Sequence, residues 1–298
     1  MQSWKKRLSI AVGVLLLGIT VTGCVGFKNA MTDPVKRSSN VTVEGYPSSA
    51  KPIRIALLSD IHTGNAVMRP ERLASIVRAV NDAAPDIVVL AGDFVVGESA
   101  QGAARRAEDL YPLAGLKAAY GVFAVLGNHD HWTDPDAIRM NLTRAGVTVL
   151  ENDARRIGAI TLVGIDDRFS QHDDIRLSFE RAEELGGLPI VLTHSPDLAD
   201  DLPDEVRIIL AGHTHCGQMV APIVGPIVRT HQRNPLYNQR YRCGRVDEGD
   251  RSIFVTVRRQ NIWHNSRRRV TECGPRLRFD VRRRACGVAS ADVRVSFA

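Results

Sequence analysis

The 298-residue chain contains little cysteine, and no two of its cysteines stand in a CxxC spacing. The five positions are Cys24, Cys216, Cys243, Cys273 and Cys286. A structural zinc site or a disulfide framework needs regularly spaced cysteines, so we predict neither. Cys216 directly follows a histidine, and we expect it to be a small buried residue rather than a metal ligand.

The chain also has little net charge outside residues 257–298. Residues 257–298 hold eleven arginines, no lysine and three acidic residues, which is a net charge of +8. Because the whole chain carries +6, residues 1–256 carry −2. A surface that binds nucleic acid needs clustered basic residues, so we expect no nucleic-acid partner.

One long uncharged segment is present, at the amino terminus. Twenty residues from Leu8 to Phe27 follow the basic cluster Lys5-Lys6-Arg7, and about 20 apolar residues can cross a bilayer as a helix. The segment is interpreted as an uncleaved membrane anchor, a lipoprotein signal, a cleaved secretory signal or a buried core helix. Val21-Thr22-Gly23-Cys24 resembles a bacterial lipobox, in which the cysteine is lipidated. The basic cluster favours a cytoplasmic amino terminus, with the following domain outside the cytoplasm.

Composition divides the chain into four segments. Residues 1–27 are the signal or membrane anchor, and the polar residues 28–50 are predicted to form a linker. Residues 51–256 have the length and apolar runs of one large domain. Residues 257–298 lose the apolar pattern. This predicts a disordered basic tail, the product of a reading-frame shift near residue 256, or an anchor for anionic lipid head groups.

Strand and helix patterns alternate through the large domain. Apolar runs typical of buried strands occur at residues 53–58, 87–91 and 122–126, and helical patterns follow them at about residues 70–80, 101–119 and 134–145. The alternation predicts an α/β fold with parallel strands and right-handed crossovers. Later strands are predicted at residues 147–150, 159–165, 189–192, 206–210, 218–228 and 253–257, with a helix at 173–185 and the last two strands in a second sheet.

Acidic residues, an asparagine and histidines stand where these strands end. The carboxyl ends of parallel strands meet at one edge of a sheet, so we expect the side chains to converge. Any one of them alone could instead cap a helix or form a turn, but their occurrence at successive strand ends favours a two-metal site. The residues are Asp60, His62, Asp93, Asn128, His129, Asp130, His194, His213 and His215.

Hydrolysis of a phosphate ester explains why such ligands would be gathered. Two divalent metals about 3.5–4 Å apart supply a hydroxide nucleophile and neutralise charge on the phosphoryl oxygens. Asp60 with His62, and His213 with His215, could each direct two ligands from one turn. Asp93, alone after its strand, is the natural bridge. The mixed oxygen and nitrogen donors suit Mn²⁺, Fe²⁺ or Zn²⁺.

The ordered motifs D-x-H, G-D, G-N-H-D, H and G-H-x-H resemble those of the calcineurin-like metallophosphoesterase family over residues 53–217. A wider resemblance to a membrane-associated bacterial branch of the family extends to about residue 256. The resemblance implies two packed mixed β-sheets flanked by helices, arranged as a four-layer sandwich. It also implies two divalent metal ions as cofactors.

The resemblance further implies a role for each motif residue. Asp93 would bridge the metals, and His129 would act as general acid or stabilise the phosphoryl oxygens, oriented by Asp130. A hydroxide between the metals would attack phosphorus in line, without a covalent enzyme intermediate. The ligands would be Asp60, His62 and His215 for the first metal, and Asn128, His194 and His213 for the second.

The implied substrate is a phosphodiester or a lipid-linked pyrophosphate, for example one like UDP-diacylglucosamine, close to the membrane. Two other interpretations stay open: a non-catalytic metal-binding scaffold, and a product inactivated by the altered carboxyl terminus. The presence of His129 and Asp130 favours the enzyme over the scaffold. We expect only a structural role for His131, and a turn at Asp166 and Asp167.

Overall fold

The apolar runs form two six-stranded sheets among the residues that this computed structural model describes. These are residues 2–32, 36–47, 49–217, 220–221, 225–226, 230–231, 234–235, 237–256 and 291–297. In chain order the strands are β1 (Arg37–Val43), β2 (Arg54–Leu58), β3 (Ile87–Ala91), β4 (Val122–Val125), β5 (Val147–Val149), β6 (Asp153–Ile157), β7 (Ile160–Ile165), β8 (Leu188–Thr193), β9 (Ile208–Ala211), β10 (Val220–Ala221), β11 (Gly225–Pro226), β12 (Thr230–His231), β13 (Asn234–Pro235), β14 (Gly244–Glu248), β15 (Arg251–Val255) and β16 (Ala291–Phe297). The α-helices are α1 (Gln2–Ala30), α2 (Pro70–Asp82), α3 (Ala103–Glu108), α4 (Asn128–Trp132), α5 (Pro135–Arg144) and α6 (Ile175–Leu185), with short 3-10 helices at Tyr111–Gly115, Pro196–Asp201, His215–Gly217 and Gln239–Tyr241.

The first sheet has the strand order β1-β16-β2-β3-β4-β5. The strands from β16 to β5 run parallel, and β1 pairs antiparallel with β16. Helical segments connect β2 to β3, β3 to β4 and β4 to β5, as parallel pairing requires. The carboxyl ends of β2, β3 and β4 therefore lie side by side at one edge.

The second sheet has the order β14-β15-β9-β8-β7-β6. Its four central strands run parallel, and the edge strands β14 and β6 pair antiparallel. Both sheets are thus mixed, and the predicted fold class is confirmed.

The main core lies between the two sheets. Its buried side chains come from strands of both, among them Ile55 and Val89 of the first sheet and Leu162, Ile190 and Leu210 of the second. All five residues of β3 are buried, because helices cover the outer face of its sheet while the second sheet covers the other.

Helices cover the outer faces of both sheets. Helix α2 begins at a proline and buries Leu73 and Val77 on its apolar side against the first sheet. Helix α6 buries Phe179 and Ala182 against the second. The result is the predicted order of helix, sheet, sheet and helix.

Two segments predicted to lack regular structure contribute strands to the first sheet. Strand β1 lies within the predicted linker 28–50, and β16 lies within the tail 257–298. The prediction of irregular structure was wrong for both strands. The missed signal is a period of two, with Val41 and Val43 both buried in β1 and alternating apolar residues in the sequence of β16. The reading-frame hypothesis for the tail stays a prediction.

Two further differences concern the middle of the chain. The single helix predicted over residues 101–119 is instead α3 followed by the 3-10 helix Tyr111–Gly115. Pro112 has no N–H to donate, and it restricts the residue before it, so an α-helix is not continued through this point. The strand predicted at 218–228 lies partly outside the described residues, which include only β10 and β11 there.

The amino-terminal segment forms a helix of 29 residues. Among the described residues, no helix combines the length and the apolar character needed to cross a membrane. The apolar side chains of α1 include Ile10 and Leu15, which are 67% and 64% exposed. Exposure of this extent excludes the interpretation of the segment as a buried core helix.

Candidate metal centre

The structure gathers the predicted ligand residues at the carboxyl edge of both sheets. Asp60 and His62 follow β2, Asp93 follows β3, and Asn128 begins α4 just beyond β4. From the second sheet, His194 follows β8, and the residues after β9 include His213 and His215. The candidate ligands other than His215 are less than 9% exposed.

Four of these side chains form the first cluster of candidate ligand atoms. One ligand atom from each of Asp60, His62, Asp93 and His215 lies within 4.8 Å of the others. The Nε2 atom of His215 is 3.3 Å from Oδ1 of Asp60 and 3.3 Å from Nε2 of His62. Carboxylate and imidazole atoms converging this closely fit a divalent transition-metal ion.

The second cluster lies beside the first. Oδ1 of Asn128 is 3.2 Å from Nε2 of His194 and 3.0 Å from Nδ1 of His213. The two imidazole nitrogens are themselves 3.3 Å apart. An amide oxygen and two imidazole nitrogens therefore point at one position.

One carboxylate oxygen belongs to both clusters. Oδ2 of Asp93 is 3.4 Å from Nε2 of His62 and 3.4 Å from Nε2 of His194. The other oxygen, Oδ1, accepts a hydrogen bond of 2.9 Å from the backbone N–H of His129. That bond fixes the carboxylate so that Oδ2 faces both clusters, which is the arrangement needed of a bridging ligand.

Backbone geometry directs these side chains. Residues Asp60, His62, Asp93, His213 and His215 all have positive φ angles, between 46° and 70°. Non-glycine residues adopt this left-handed conformation infrequently and at a cost of about 1 kcal/mol or more each. Such a concentration of unfavourable backbone conformations is typical of functional sites.

A glycine allows the close approach that the second cluster requires. A Cβ atom at Gly92 would lie 2.7 Å from Nδ1 of His194, and the φ angle of Gly92 is +78°. No other residue fits this position without displacing the imidazole. The glycine of the G-D motif is therefore explained by packing against a candidate ligand.

Backbone carbonyls set the tautomers of two imidazoles. Nδ1 of His194 is 2.7 Å from the carbonyl oxygen of Ala91, and Nδ1 of His62 is 3.3 Å from that of Val95. When Nδ1 donates its proton to a carbonyl, the lone pair of Nε2 is left for a metal. This is the second contact that metal-binding histidines ordinarily make, and it supports the fit of the site to metal ions.

Charges within the site favour ionised carboxylates. Burial opposes ionisation of Asp93, but the charge and hydrogen bond of His194 hold its pKa well below the usual value. Burial also opposes ionisation of Asp60, and the positive charges of His215 and His194 lower its pKa. Burial disfavours the charged form of His194, yet the carboxylate of Asp93 raises its pKa well above normal. A bound cation would replace these imidazolium charges as the partner of the carboxylates.

The carboxylate of Asp130 does not hydrogen-bond to the imidazole of His129, although the sequence predicted this contact. Its carboxylate accepts hydrogen bonds of 2.8 to 2.9 Å from the backbone N–H groups of Asp93, Phe94 and Gly127. Nδ1 of His129 lies 2.5 Å from the carbonyl oxygen of Gly97 instead. The prediction that Asp130 orients His129 was therefore wrong, because its carboxylate is used in fixing the loop that carries Asp93.

Two hydroxyl groups beside the first cluster were missed by the sequence analysis. Ser59 Oγ donates to Oδ2 of Asp60, and Thr256 Oγ1 donates to the same oxygen over 3.4 Å. Ser59 directly precedes the D-x-H motif, but Thr256 is distant in sequence and no local pattern indicated it. These hydroxyls leave Oδ1 of Asp60 to face His215.

Cys216 forms a disulfide with Cys243, 27 residues later. The prediction of no disulfide framework does not hold for this pair, because the fold brings together two cysteines whose spacing gave no sign of it. Cys216 is buried, as predicted. The hydroxyl of Thr214 also donates to the carbonyl of Arg242 over 2.6 Å, so the disulfide and this bond both tie the His213–Gly217 loop to the same segment.

Comparisons with known proteins identify the family of the chain. The sequence-family model of calcineurin-like phosphoesterases matches residues 53–217. The chain is 31% identical over 229 residues to the uncharacterized metallophosphoesterase YkoQ of Bacillus subtilis, covering 72% of this chain and 82% of that protein. It is 31% identical over 220 residues to phosphodiesterase YaeI of Escherichia coli, covering 71% and 76%.

A third relative is a bovine transmembrane protein with metallophosphoesterase domain. It is 32% identical over 238 residues, covering 72% of this chain and 52% of that protein. The chain spans about half the length of its nematode and vertebrate relatives. From the matched region and the bacterial relatives, this chain belongs to the calcineurin-like metallophosphoesterase family.

Proposed function

We propose that the chain hydrolyses phosphodiesters at a centre of two divalent metal ions. The observation that carries the proposal is the position of Asp93 Oδ2, 3.4 Å from an imidazole nitrogen of each cluster. Asp60, His62 and His215 would complete the first metal site, and Asn128, His194 and His213 the second. When bound, two such metals activate water and neutralise the phosphoryl oxygens.

His129 is proposed to act at the leaving oxygen. The carbonyl of Gly97 accepts a hydrogen bond from Nδ1–H of His129, so the doubly protonated imidazolium would present Nε2–H to the departing alkoxide and give it that proton, or would hydrogen-bond a phosphoryl oxygen. The backbone N–H of the same residue holds Asp93. One residue thereby couples the position of the general acid to that of the bridging carboxylate.

A phosphodiester or a lipid-linked pyrophosphate is the proposed substrate class, and YaeI is named as a phosphodiesterase. Attachment to a membrane through residues 1–27 is proposed on the exposure of apolar side chains along α1 and of Cys24, the residue of the lipobox-like motif. An extracytoplasmic domain is proposed because the Cys216–Cys243 disulfide would persist in an oxidising compartment.

Three variants test the proposed roles. We expect Asp93→Asn and His213→Ala to lose hydrolysis and to bind less metal, since each removes a ligand. We expect His129→Ala to retain its metal and lose rate by roughly 10²–10⁴-fold, most severely with poor leaving groups. Bound metal is measured by elemental analysis beside the kinetics. Retained turnover in both ligand variants would refute the site assignment.

A further inference from the structure

An aromatic pair borders the candidate metal centre. The ring of Trp132, at the end of α4, lies 5.2 Å from that of His129 between centroids. The ring of Phe169, in the loop after β7, lies 4.9 Å from that of His213. The two aromatic rings are 5.9 Å apart and inclined by 60°. Trp132 and Phe169, called the aromatic wall below, therefore connect the general-acid side of the site to the second cluster.

The aromatic wall is held in place by contacts outside the metal centre. Nε2 of His131 is 2.8 Å from Oδ1 of Asp166, and each side chain is 6% exposed. The ring of His172 stacks on that of His131, with centroids 3.7 Å apart and planes 6° apart. Because His131 precedes Trp132, and Asp166 and His172 flank Phe169 in sequence, these contacts fix α4 against the loop. The wall is thus a built surface, although each of its side chains keeps part of its area exposed.

The chemistry of the wall does not suit the phosphoryl group. Indole and phenyl rings carry no positive charge, and they bind apolar or planar groups by stacking and edge contacts. In an in-line displacement the leaving oxygen is opposite the attacking oxygen, so a retained ester group lies to the side of that axis. The wall extends from the ring of His129 to that of His213, and a phosphomonoester has no second ester group to place against it.

We propose that Trp132 and Phe169 form a subsite for an apolar or planar ester substituent that stays on phosphorus. The subsite would make the enzyme prefer phosphodiesters with such a substituent over monoesters and over diesters with a small alkyl group. This inference rests on the proposed phosphodiesterase function. A nucleoside and a lipid chain could both supply the substituent, because both present apolar surface to an aromatic ring.

The test uses p-nitrophenyl phosphodiesters that share one leaving group and differ in the retained ester, which is phenyl, n-hexyl or methyl. We expect the Mn²⁺-loaded full-length protein to hydrolyse the phenyl diester with a higher kcat/KM than the methyl diester. In Trp132→Ala and Phe169→Ala the phenyl-to-methyl ratio should fall about tenfold, the size of one aromatic contact. Since the leaving group is constant, the ratio is insensitive to the step assisted by His129.

Two controls accompany these variants. Tyr120→Ala removes an aromatic side chain that is 56% exposed and lies beside the start of β3, at the opposite edge of the first sheet, and it should keep the ratio. Trp132→Phe should also keep most of it, because a ring remains. Bound Mn²⁺ in each variant reports whether the metal centre has folded.

The outcomes separate the subsite from the activity. A phenyl diester preferred over the hexyl diester indicates a planar substituent, and equal rates indicate a hydrocarbon chain; either supports the subsite. An unchanged ratio in both alanine variants with Mn²⁺ bound, or an equal loss on all three diesters, would overturn the subsite alone. Absence of hydrolysis by the Mn²⁺-loaded wild type would overturn the proposed function together with it.

Discussion

At the scale of single residues, Asp130 shows how a buried acid can serve the site without touching a reacting atom. Burial and the negative charge of Asp93 raise the pKa of Asp130 to about 7. Three backbone N–H groups nevertheless converge on its carboxylate and bind the ionised form. The residue therefore joins the turn after β3 to the turn after β4.

Asp130→Asn should destabilise these turns rather than only slow the reaction. An amide has one oxygen and would direct N–H groups at backbone donors, which leaves buried donors unpaired at a cost of about 1–3 kcal/mol each. We predict weaker Mn²⁺ binding and a lower free energy of unfolding, measured by metal titration and by urea unfolding. A variant that keeps its metal and its stability but loses rate, as expected for His129→Ala, would restore the direct role in orienting His129.

Whether the role of a residue could be predicted from the sequence depended on where its contact partners lie. The candidate ligands could be predicted because each stands in a short motif at a strand end, and parallel strands place such ends together. Two hydrogen-bond partners of Asp130 are the backbone N–H groups of Phe94 and Asp93, which lie 36 and 37 residues away in sequence. No local pattern encodes a hydrogen bond to a distant main chain, so its role had to come from the structure.

At the scale of elements, the contact between His131 and Asp166 should make stability depend on pH. Burial disfavours the charged imidazole, but the hydrogen bond and charge of Asp166 raise the pKa of His131 above its ordinary value. The folded protein therefore holds this proton more tightly than the unfolded chain, where the pKa is about 6.5. The stabilisation is fully present below about pH 6.5 and is lost as the pH rises through the elevated pKa.

Asp166→Asn tests this pH dependence. At pH 6 we expect the free energy of unfolding of the metal-free protein to fall by about 2 kcal/mol, the size of a charge-assisted hydrogen bond. The difference from the wild type should shrink as the pH rises, because the wild type loses the same interaction. Urea unfolding at a series of pH values measures it, and a difference that is constant with pH would contradict the prediction.

The His213–Gly217 loop is a second element whose stability should affect metal binding. His213, His215 and Cys216 all have left-handed backbone angles, and the disulfide to Cys243 restrains them. Breaking it with Cys243→Ser should lower stability by about 3 kcal/mol and weaken Mn²⁺ binding by roughly 10–100-fold, as loss of a supporting contact does at other metal sites.

Cys24→Ser is the matched control, because Cys24 is exposed and outside the disulfide. Metal titration and thermal unfolding are compared for the two variants. Equal Mn²⁺ affinity and equal thermal stability in Cys243→Ser and the wild type would show that the disulfide does not restrain the loop.

Most elements with long apolar runs were predicted, including the helices near residues 135–144 and 175–185. The missed strands are β1, at the edge of the first sheet, and β16, which lies between β1 and β2. Both stand in sequence segments rich in polar residues. Among the described strands, β1 pairs with β16 alone, and β16 connects it to β2. Their pairing joins residues near opposite ends of the chain, and this partner choice is not visible in either segment alone.

At the scale of the whole molecule, the centre exists because two sheets place their carboxyl edges together. The first sheet supplies Asp60, Asp93 and Asn128, and the second supplies His194 and His213. Neither sheet alone holds both clusters. Bound metals should therefore also hold the sheets together, and their removal is expected to lower the stability of the whole fold.

The most direct test is hydrolysis of bis-p-nitrophenyl phosphate and p-nitrophenyl phosphate by the full-length protein in detergent, after chelation and during titration with Mn²⁺. We predict that chelation abolishes activity, that Mn²⁺ restores it in proportion to occupancy up to two ions per chain, and that the diester is hydrolysed faster. Two bound ions without hydrolysis of either ester would contradict the enzyme and favour a metal-binding scaffold. Hydrolysis that persists without metal would contradict the proposed centre itself.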